Sequence, residues 1–311
     1  MHAMASTDRS AQRIVVTGAT GLIGTALVAS LREAGHPVTR LVRGTPAADD
    51  ARWDPSAGAI DESAIDGAWA IVHLAGEGIA DQKWTDEHKR RVLDSRVVGT
   101  TLLAKTIASL ETPPTSFVSG SAIGYYGDRG DEVLDETSPP GTGFLADVVR
   151  AWEASTAAVE GTGVRTVHLR TGIVLSTKGG ALKQQLLPFK LGLGGRLGSG
   201  RQYLPWITLA DEVSAIRFVL DNNTMSGPVN AVGPNPVANS VFTKALGKAL
   251  HRPTLLPIPL FPIKARFGSE MVEEMLLSSA RVTPSVLQHA GFRFANPDLD
   301  AALRYLLESH A

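Results

Sequence analysis

A chain of 311 residues, 43% hydrophobic and 20% charged, has an ordinary globular composition and is long enough for a large α/β domain with a smaller lobe. Its 30 basic and 31 acidic residues give a net charge of -1, which lacks the basic excess expected of a partner for nucleic acid or anionic membranes. Because cysteine is absent, disulfides, thiol nucleophiles and cysteine-ligated metals are excluded, and a cytoplasmic location is compatible with the composition.

Residues 1–12 are polar and carry no apolar stretch that could act as a signal peptide, so they are predicted to form a disordered leader. Elsewhere no uninterrupted apolar run reaches the roughly 18 residues that a membrane span requires. We therefore expect a cytoplasmic protein, monomeric or homodimeric, that acts on a small molecule and has neither a nucleic-acid nor a membrane partner.

Strand and helix patterns alternate from residue 13 onward. A β-branched run at 13–17 precedes a glycine turn, and a helical pattern then continues until Gly35 and Pro37 end it. Further elements are indicated, in chain order, as strands at 37–42, near 52–53, at 69–74, 115–119 and 164–169, and as helices at 86–110 and 144–159. This alternation predicts a Rossmann-type, doubly wound parallel sheet with helices on both faces.

The C-terminal half has a different pattern. Glycines are frequent from 178 to 200, and helical periodicity is lost beyond Pro188. Later elements are predicted as a strand at 203–209 and helices at 211–220, 240–250, 271–278 and 284–289. We therefore assign 13–177 to the Rossmann domain and 178–311 to a smaller C-terminal α+β lobe, some strands of which return to the main sheet.

The run from Thr17 to Gly24 follows a predicted strand and opens a predicted helix. Glycines permit the tight turn and let the backbone approach a diphosphate, whose charge rests on free N–H groups at the helix N-terminus. The G-x-x-G-x-x-G spacing differs slightly from the general G-x-G-x-x-G form, and a purely structural turn is the alternative that the flanking elements disfavour. The residues predicted to bind the dinucleotide here are Gly18, Thr20, Gly21, Leu22, Ile23 and Gly24.

The end of the second predicted strand, 39–44, lacks the carboxylate that would bind the ribose 2′-hydroxyl of NAD. A guanidinium at this place forms a charge-assisted, often bidentate contact with a 2′-phosphate. Arg43 is the first candidate for that contact and Arg40 the second, and Val42 between them is included in the cofactor site. The alternative is that both arginines are solvated surface residues. The predicted cofactor is NADP.

Several motifs together resemble the extended short-chain dehydrogenase/reductases, and more narrowly their atypical branch of uncharacterised epimerase-family proteins with a C-terminal domain of unassigned function. The motifs that carry this resemblance cover nearly the whole chain. They are the turn at 17–24, Trp53-Asp54-Pro55, His73-Leu74-Ala75-Gly76-Glu77, Ser95-Arg96, the run 119–127, Leu191-Gly192-Leu193-Gly194-Gly195, and Trp206-Ile207 before Asp211.

The resemblance implies NADP(H) binding. It implies that Leu74, Ala75 and Gly76 line the cofactor at the end of a strand, that Arg96 reaches the cofactor from the long helix, and that Ile173 and Val174 lie near the nicotinamide.

Arg96 also stands out in the sequence itself. It shares a helical stripe with Val92, Gly99, Leu103 and Ile107, so it points toward packed structure, where a guanidinium needs a partner. A phosphate is one candidate partner, and an arginine snorkelling at the end of the stripe is the alternative.

The chain departs from the family in its catalytic helix. Reductases of this superfamily carry a Tyr-x-x-x-Lys pair there, in which the lysine lowers the pKa of the tyrosine. The corresponding run 143–150 contains neither residue. Ser121 matches the superfamily's catalytic serine by position, and Tyr125 or Tyr126 could donate a proton, although a phenol without a nearby cation keeps a pKa of about 10. The alternative is that both tyrosines are structural.

Two functions remain open at this point. The first is an NADP(H)-dependent oxidoreductase or epimerase acting on a small carbonyl or sugar-like substrate. The second is a non-catalytic NADP(H)-binding sensor or partner-binding protein, which the missing Tyr-x-x-x-Lys pair favours. No metal site is predicted, because the acidic cluster formed by Asp131, Glu132, Asp135 and Glu136 has the spacing of a solvated loop edge.

Overall fold

The computed structural model describes residues 12–308, so the predicted leader lies outside the described residues except for Gln12. The strands are β1 (Ile14–Thr17), β2 (Val38–Val42), β3 (Asp50–Asp54), β4 (Ala59–Ile60), β5 (Ala70–His73), β6 (Ser116–Ala122), β7 (Val133–Leu134), β8 (Arg165–Thr171), β9 (Ile173–Leu175), β10 (Tyr203–Leu204), β11 (Trp206–Thr208), β12 (Gly227–Ala231), β13 (Val237–Ala238) and β14 (Arg281–Val282). The helices are α1 (Leu22–Glu33), α2 (Asp86–Ser109), α3 (Phe144–Ala154), α4 (Gly180–Lys190), α5 (Leu209–Asp221), α6 (Asn239–Ala249), α7 (Leu260–Phe267), α8 (Ser269–Val272), α9 (Ser285–His289) and α10 (Leu299–Glu308).

Eight strands form the main sheet in the order β12-β8-β6-β5-β1-β2-β3-β4. All neighbouring pairs run parallel except the hairpin of β3 and β4 at one edge. From β1 the chain first adds β2, β3 and β4 on one side. It then crosses to the other side of β1 and adds β5, β6, β8 and β12 there. This Rossmann-type order confirms the predicted fold, and its reversal beside β1 opens a crevice at the carboxyl ends of the strands, where ligands of such sheets bind.

Apolar side chains cover both faces of the sheet. Val16 and Val72 pack with α1 and α5 on one face, and Val15, Ile71 and Phe117 pack beside α2 on the other. Strands buried on both faces require near-continuous apolar sequence, which β1 and β5 provide. Two covered faces make the sheet the rigid frame of the molecule.

The smaller lobe has its own apolar core. β9 pairs with β11, and these strands pack with α4, α6 and α10 through Leu175, Trp206, Phe242 and Leu303. Between these elements the chain returns to the main sheet as β12. The division at 177 stays a prediction.

Several elements differ from the sequence-based expectations. The helix predicted at 144–159 ends at Ala154 and is followed by a 3-10 turn, and the one predicted at 271–278 is α8 followed by a π-helical turn, Glu273–Leu277. α7 was missed because its Pro262 resembles a helix breaker, although proline is tolerated in a first helical turn. Across residues 12–308, no helix combines the length and apolar character needed to cross a membrane.

Candidate functional site

The glycine turn joins β1 to α1 and lies against the end of β5. Gly18 adopts φ +65°, and a Cβ there would lie 2.6 Å from both the carbonyl carbon and the oxygen of Leu74. A Cβ on Gly24 would lie 2.2 Å from the Gly18 oxygen. Gly21 caps α1 without any side-chain hydrogen bond, so the first N–H groups of the helix remain available. Only glycine fits this cradle, and an anionic group is the ligand that it suits.

A groove of about 400 Å³ runs along this turn. It brings together many of the predicted residues, namely Gly18, Gly21, Leu22, Ile23, Gly24, Leu74, Ser121, Ile173 and Val174. Sequence reasoning missed Gly120, Trp152, Thr171, Gly180 and Ala181, which also line it. The groove therefore joins the end of β1 to the start of the smaller lobe.

Other predicted cofactor residues lie outside this groove. Thr20 and Gly76 are exposed, and Val42 and Ala75 are half-buried. The backbone N–H groups of Leu74 and Ala75 both donate to Thr17 Oγ1, at 3.2 and 3.3 Å, which holds the end of β5 beside the glycine turn. Their contacts with a cofactor stay predictions.

The two arginines of the β2 end have different surroundings. Arg40 donates to both carboxylate oxygens of Asp50 on β3, at 2.6 and 2.7 Å, and this contact lowers the pKa of Asp50. Arg43 is exposed and makes no hydrogen bond or ion pair with any other residue of the described range. Of the two guanidinium groups, that of Arg43 is the one open to a ligand.

His73 is fully buried beneath the site. Its Nδ1 lies 2.6 Å from Thr17 Oγ1 and its Nε2 lies 3.0 Å from Thr100 Oγ1. Burial lowers its pKa to about 3, so the imidazole is neutral at physiological pH. His73 is therefore a structural residue that holds Thr17 against the end of β5.

A second cavity of about 380 Å³ adjoins the groove and shares Trp152, Thr171 and Ile173 with it. Helix α3 contributes Leu145, Val148, Val149 and Trp152, which follow the i, i+3, i+4, i+7 spacing of one helical face. That face lacks a titratable side chain at the place where the superfamily carries Tyr-x-x-x-Lys. The helical spacing could have marked these residues as a buried face, but not as the wall of a cavity.

The opposite wall comes from the C-terminal segment, through Glu273, Glu274, Met275, Ser278 and Ala280. Both carboxylate oxygens of Glu274 accept hydrogen bonds at 2.9 Å, from the backbone N–H groups of Phe144 and Leu145. Glu274 thus caps α3 and fastens this wall of the cavity to the Rossmann domain.

A buried polar network holds Ser121. The register places Ser121 opposite Arg170 on β8, and Arg170 opposite Asn230 on β12, so the three side chains share one face of the sheet. Ser121 Oγ donates to Glu153 Oε1 at 2.6 Å, and Glu153 receives two hydrogen bonds from Arg170, at 2.8 and 2.9 Å. The proton of Ser121 is therefore committed to Glu153.

The candidate tyrosines belong to the same network. Tyr126 is fully buried, donates to Asn230 Oδ1 at 2.7 Å and accepts from Arg170 at 3.1 Å, and burial raises its pKa to about 12. The guanidinium of Arg170 lies 3.5 Å from the ring centre of Tyr125. Neither tyrosine lines either cavity. Burial and these hydrogen bonds favour the structural interpretation of Tyr126, because a fully buried phenol cannot reach a substrate. Tyr125 is half-buried, and its role stays a prediction.

The acidic loop is only partly solvated. Asp131 and Glu132 are exposed, whereas Glu136 is buried and accepts hydrogen bonds from the backbone N–H groups of Asn230 and Val286. The interpretation of all four residues as a solvated edge is therefore wrong for Glu136. Two backbone donors from distant segments compensate the burial of its carboxyl group, and no local pattern encodes them.

Glu212 on α5 is a carboxyl group that sequence reasoning missed. It is completely buried, its Oε1 accepts from Thr171 Oγ1 at 2.8 Å, and its Oε2 has no hydrogen-bond partner among the described residues. Burial raises its pKa to about 8, so the protonated form predominates at neutral pH.

Glu212 should make the stability of the protein depend on pH. Between pH 4.5 and about 8 the folded chain keeps a proton that the unfolded chain releases, so stability falls as pH rises through this window. Glu212→Gln should flatten this decline, measured as the free energy of urea unfolding from acid to alkaline pH. The exposed Glu111→Gln is the control. A decline of unchanged slope in Glu212→Gln would contradict the assignment.

Comparisons with known proteins agree with this architecture. A family model described as NAD dependent epimerase/dehydratase family matches residues 14–233, and a domain of unknown function, DUF1731, matches residues 258–306. An epimerase family protein of Mycobacterium bovis is 43% identical over 293 residues, which cover 94% of this chain and 96% of that protein.

Solved structures give the same result. The human epimerase family protein SDR39U1 (isoform 2), solved with NADPH, matches with a TM-score of 0.88 and 36% identity, over 96% of this chain and 99% of that one. A nucleoside-diphosphate sugar epimerase from Corynebacterium glutamicum matches with a TM-score of 0.80 and 36% identity, over 96% of this chain and 58% of that one. Since one family model spans the entire parallel sheet and the M. bovis relative matches almost end to end, the chain belongs to the NAD dependent epimerase/dehydratase family.

Proposed function

We propose that this chain binds NADP(H) and catalyses hydride transfer between its nicotinamide and a small carbonyl or alcohol substrate, as an oxidoreductase or epimerase. One observation carries the proposal: the groove of the glycine turn and the second cavity lie side by side and share Trp152, Thr171 and Ile173 as lining residues. A dinucleotide that lies along the groove would bring its reactive end to the shared wall, next to a substrate in the cavity.

The choice of NADP over NAD rests on the positive charge of Arg43 and on the cofactor present in a relative's structure. Arg43 offers an uncommitted guanidinium where a 2′-phosphate would lie, and the human relative was solved with NADPH. The cradle made by Gly18 and Gly24 fits a diphosphate because any side chain there would fill it. When bound, NADPH would supply the hydride for reduction of a carbonyl, and water would supply the proton that the reduced oxygen takes up, because the cavity face of α3 provides no proton donor.

The chain's own residues would bind and orient the cofactor and the substrate. Ile173 and Trp152 give the shared wall of groove and cavity an apolar surface, and Val174 extends that surface along the groove. Ser121 lies at the groove with its proton held by Glu153, so its free lone pairs can accept a hydrogen bond from a ligand amide or hydroxyl. Ser121 is the residue that we assign to the reacting end of the site.

Replacing Arg43 by alanine should weaken NADPH binding by about 10- to 100-fold, because a charge-assisted contact to the 2′-phosphate is lost. NADH, which lacks that phosphate, should bind almost as before. Calorimetric titration of both cofactors measures the difference, with Arg150→Ala, an exposed arginine on α3, as the control. Equal losses for both cofactors would exclude the role of Arg43.

Hydride transfer is tested by loss of NADPH absorbance in the presence of a broad panel of carbonyl compounds. We expect turnover with a subset of the panel and a loss of at least about tenfold in kcat/KM for Ser121→Ala, since positioning of the reacting groups would suffer. Ser109→Ala, an exposed serine at the end of α2, is the matched control.

A second function has one observation in its favour: the cavity face of α3 is apolar and provides no proton donor. A non-catalytic NADP(H)-binding protein would need none. Tight NADPH binding without turnover across the panel, together with no effect of Ser121→Ala on binding, would support this second function over the first.

A further inference from the structure

The smaller lobe exposes a cluster of large apolar side chains. Six of them are 65–88% exposed, more than any other large apolar residue in the described part of the chain, namely Leu187, Leu191, Leu193, Leu255, Leu256 and Phe261. They lie near the end of α4 and around the start of α7, and backbone contacts join these two segments. The N–H of Ile258 donates to the Arg196 carbonyl at 2.9 Å, and Arg252 Nε donates to the Lys190 carbonyl at 2.8 Å. The six side chains therefore belong to one surface, which we call the lobe surface.

The segments that build this lobe are strongly basic. Residues 178–210 and 222–269 carry ten of the chain's 30 Lys and Arg residues and none of its 31 Asp and Glu residues. One of the ten, Lys264, pairs with Glu273 of the following turn at 3.0 Å. The other nine are exposed, namely Lys178, Lys183, Lys190, Arg196, Arg201, Lys244, Lys248, Arg252 and Arg266. The net charge of -1 for the whole chain thus averages a basic lobe with an acidic remainder.

Helix α4 brings the exposed apolar groups and the cations onto one face. That face has the i, i+4, i+7, i+8 spacing and consists of Lys183, Leu187, Lys190 and Leu191, all of them exposed. Arg252 lies beside the end of this face through its hydrogen bond to the backbone of Lys190. Exposed leucines between lysines are typical of helices that lie on a membrane surface, where the apolar groups enter the headgroup region and the cations meet anionic lipids.

We propose that the lobe surface binds peripherally to a membrane that contains anionic lipids. Leu255, Leu256 and Phe261 would enter the headgroup region, and the lysines and arginines around them would lie near lipid phosphates. Such binding requires no spanning helix, and none occurs within residues 12–308. It departs from the expectation of no membrane partner, which used the net charge of the whole chain and not the distribution of that charge.

Two other occupants fit the lobe surface less well. A second copy related by a two-fold axis would bring the same basic groups of both chains together, and like charges across an interface repel. Protein interfaces are enriched in Tyr and Trp, whereas this surface presents leucines, of which Leu255 and Leu256 are 88% and 78% exposed. Apolar side chains that project this far into solvent suit a fluid lipid layer.

The experiment is flotation of the full chain with lipid vesicles. One set contains phosphatidylglycerol and phosphatidylcholine in roughly equal parts, and the other contains phosphatidylcholine alone. We expect at least about tenfold stronger binding to the anionic vesicles. Added salt should weaken this binding, because it screens the attraction between the cations and the lipid phosphates.

The contribution of charge is tested by Lys183→Gln/Lys190→Gln. This variant should bind the anionic vesicles about tenfold more weakly, since each basic residue near the surface adds to the attraction. The control is Arg90→Gln/Lys105→Gln, which removes two exposed cations from α2, outside the lobe surface. The control should bind as the wild type does.

The apolar contribution is tested by Leu255→Ser/Leu256→Ser, which should also reduce binding by at least about tenfold. Val98→Ser/Val133→Ser is the matched control, because both valines are exposed and lie outside the lobe surface. All the substituted side chains are exposed, so each variant should keep the circular dichroism spectrum of the wild type. A loss of vesicle binding is then a loss of contact and not of folding.

No binding to the anionic vesicles, or equal binding to both kinds of vesicle, overturns the proposal. Equal losses in the variants and their controls also overturn it. If the chain ignores vesicles but forms a dimer that Leu255→Ser/Leu256→Ser abolishes in sedimentation velocity, the lobe surface is assigned to a second copy. Absence of both vesicle binding and dimerisation rejects the membrane and assigns the surface to an acidic protein partner.

Discussion

Gly18→Ala should reduce NADPH affinity by at least about 100-fold and lower the free energy of unfolding by about 2–5 kcal/mol. Two costs combine here. The left-handed backbone, φ +65°, disfavours any side chain, and the added Cβ would lie 2.6 Å from the backbone of Leu74. Backbone cannot move aside as a flexible side chain can, so the turn must shift away from the end of β5 and the diphosphate cradle changes shape.

Gly58→Ala is the matched control because it isolates the first cost. Gly58 has nearly the same φ, +63°, but a Cβ there meets no atom within 4 Å. We expect a loss of about 1–2 kcal/mol from the left-handed conformation and unchanged NADPH affinity. Urea unfolding and calorimetric titration measure both quantities. NADPH binding by Gly18→Ala at wild-type affinity would show that the turn does not form the cofactor site.

Glu153→Ala should lower the free energy of unfolding by about 3–5 kcal/mol, because it leaves a buried guanidinium without its counter-charge. The Arg170 side chain is 3% exposed and that of Glu153 12% exposed. Ser121 also loses the acceptor of its proton, so its hydroxyl becomes free to rotate. Any catalytic activity should fall as well. Activity measured well below the unfolding transition separates the direct effect on Ser121 from the loss of folded protein.

The double variant Glu153→Met/Arg170→Met tests whether an unpaired charge is the cause. Replacing both members of a buried pair by apolar residues of similar size is often close to neutral, so the double variant should be more stable than Glu153→Ala. Asp147→Ala provides the exposed comparison, since it breaks the surface pair with Arg150 on the same helix and should cost about 0–1 kcal/mol. Equal losses for Glu153→Ala and Asp147→Ala would contradict this account.

Local sequence determined the frame of this protein and the character of its cofactor site. Apolar β-branched runs followed by helical spacing predicted the parallel sheet, because strand and helix periods depend on neighbours in the chain. The glycine turn was recognisable for the same reason, since Gly18, Gly21 and Gly24 lie close together between the end of β1 and the first turn of α1. The absence of a carboxylate after β2 is likewise a local feature, and the proposal of a phosphorylated cofactor rests partly on it.

Tertiary structure alone decided which polar side chains are hydrogen-bonded within the protein and which are open to a ligand. Arg40 and Arg43 are close in sequence, yet only folding brings Asp50 to Arg40 and leaves Arg43 open. Tyr126 is fully buried in the fold, where its hydroxyl donates a hydrogen bond to Asn230, more than one hundred residues away. Hydrogen bonding and burial between distant segments have no periodic signature in the sequence.

The second cavity shows most clearly the difference between what local sequence predicts and what tertiary structure decides. Its walls come from α3 and from the C-terminal segment that carries Glu274, and neither segment alone encloses any space. The helical stripe of Arg96 predicted that this side chain points inward, but not that it would line a cavity. A cavity is a property of surfaces that meet, so it exists only once the distant parts of the chain have packed together.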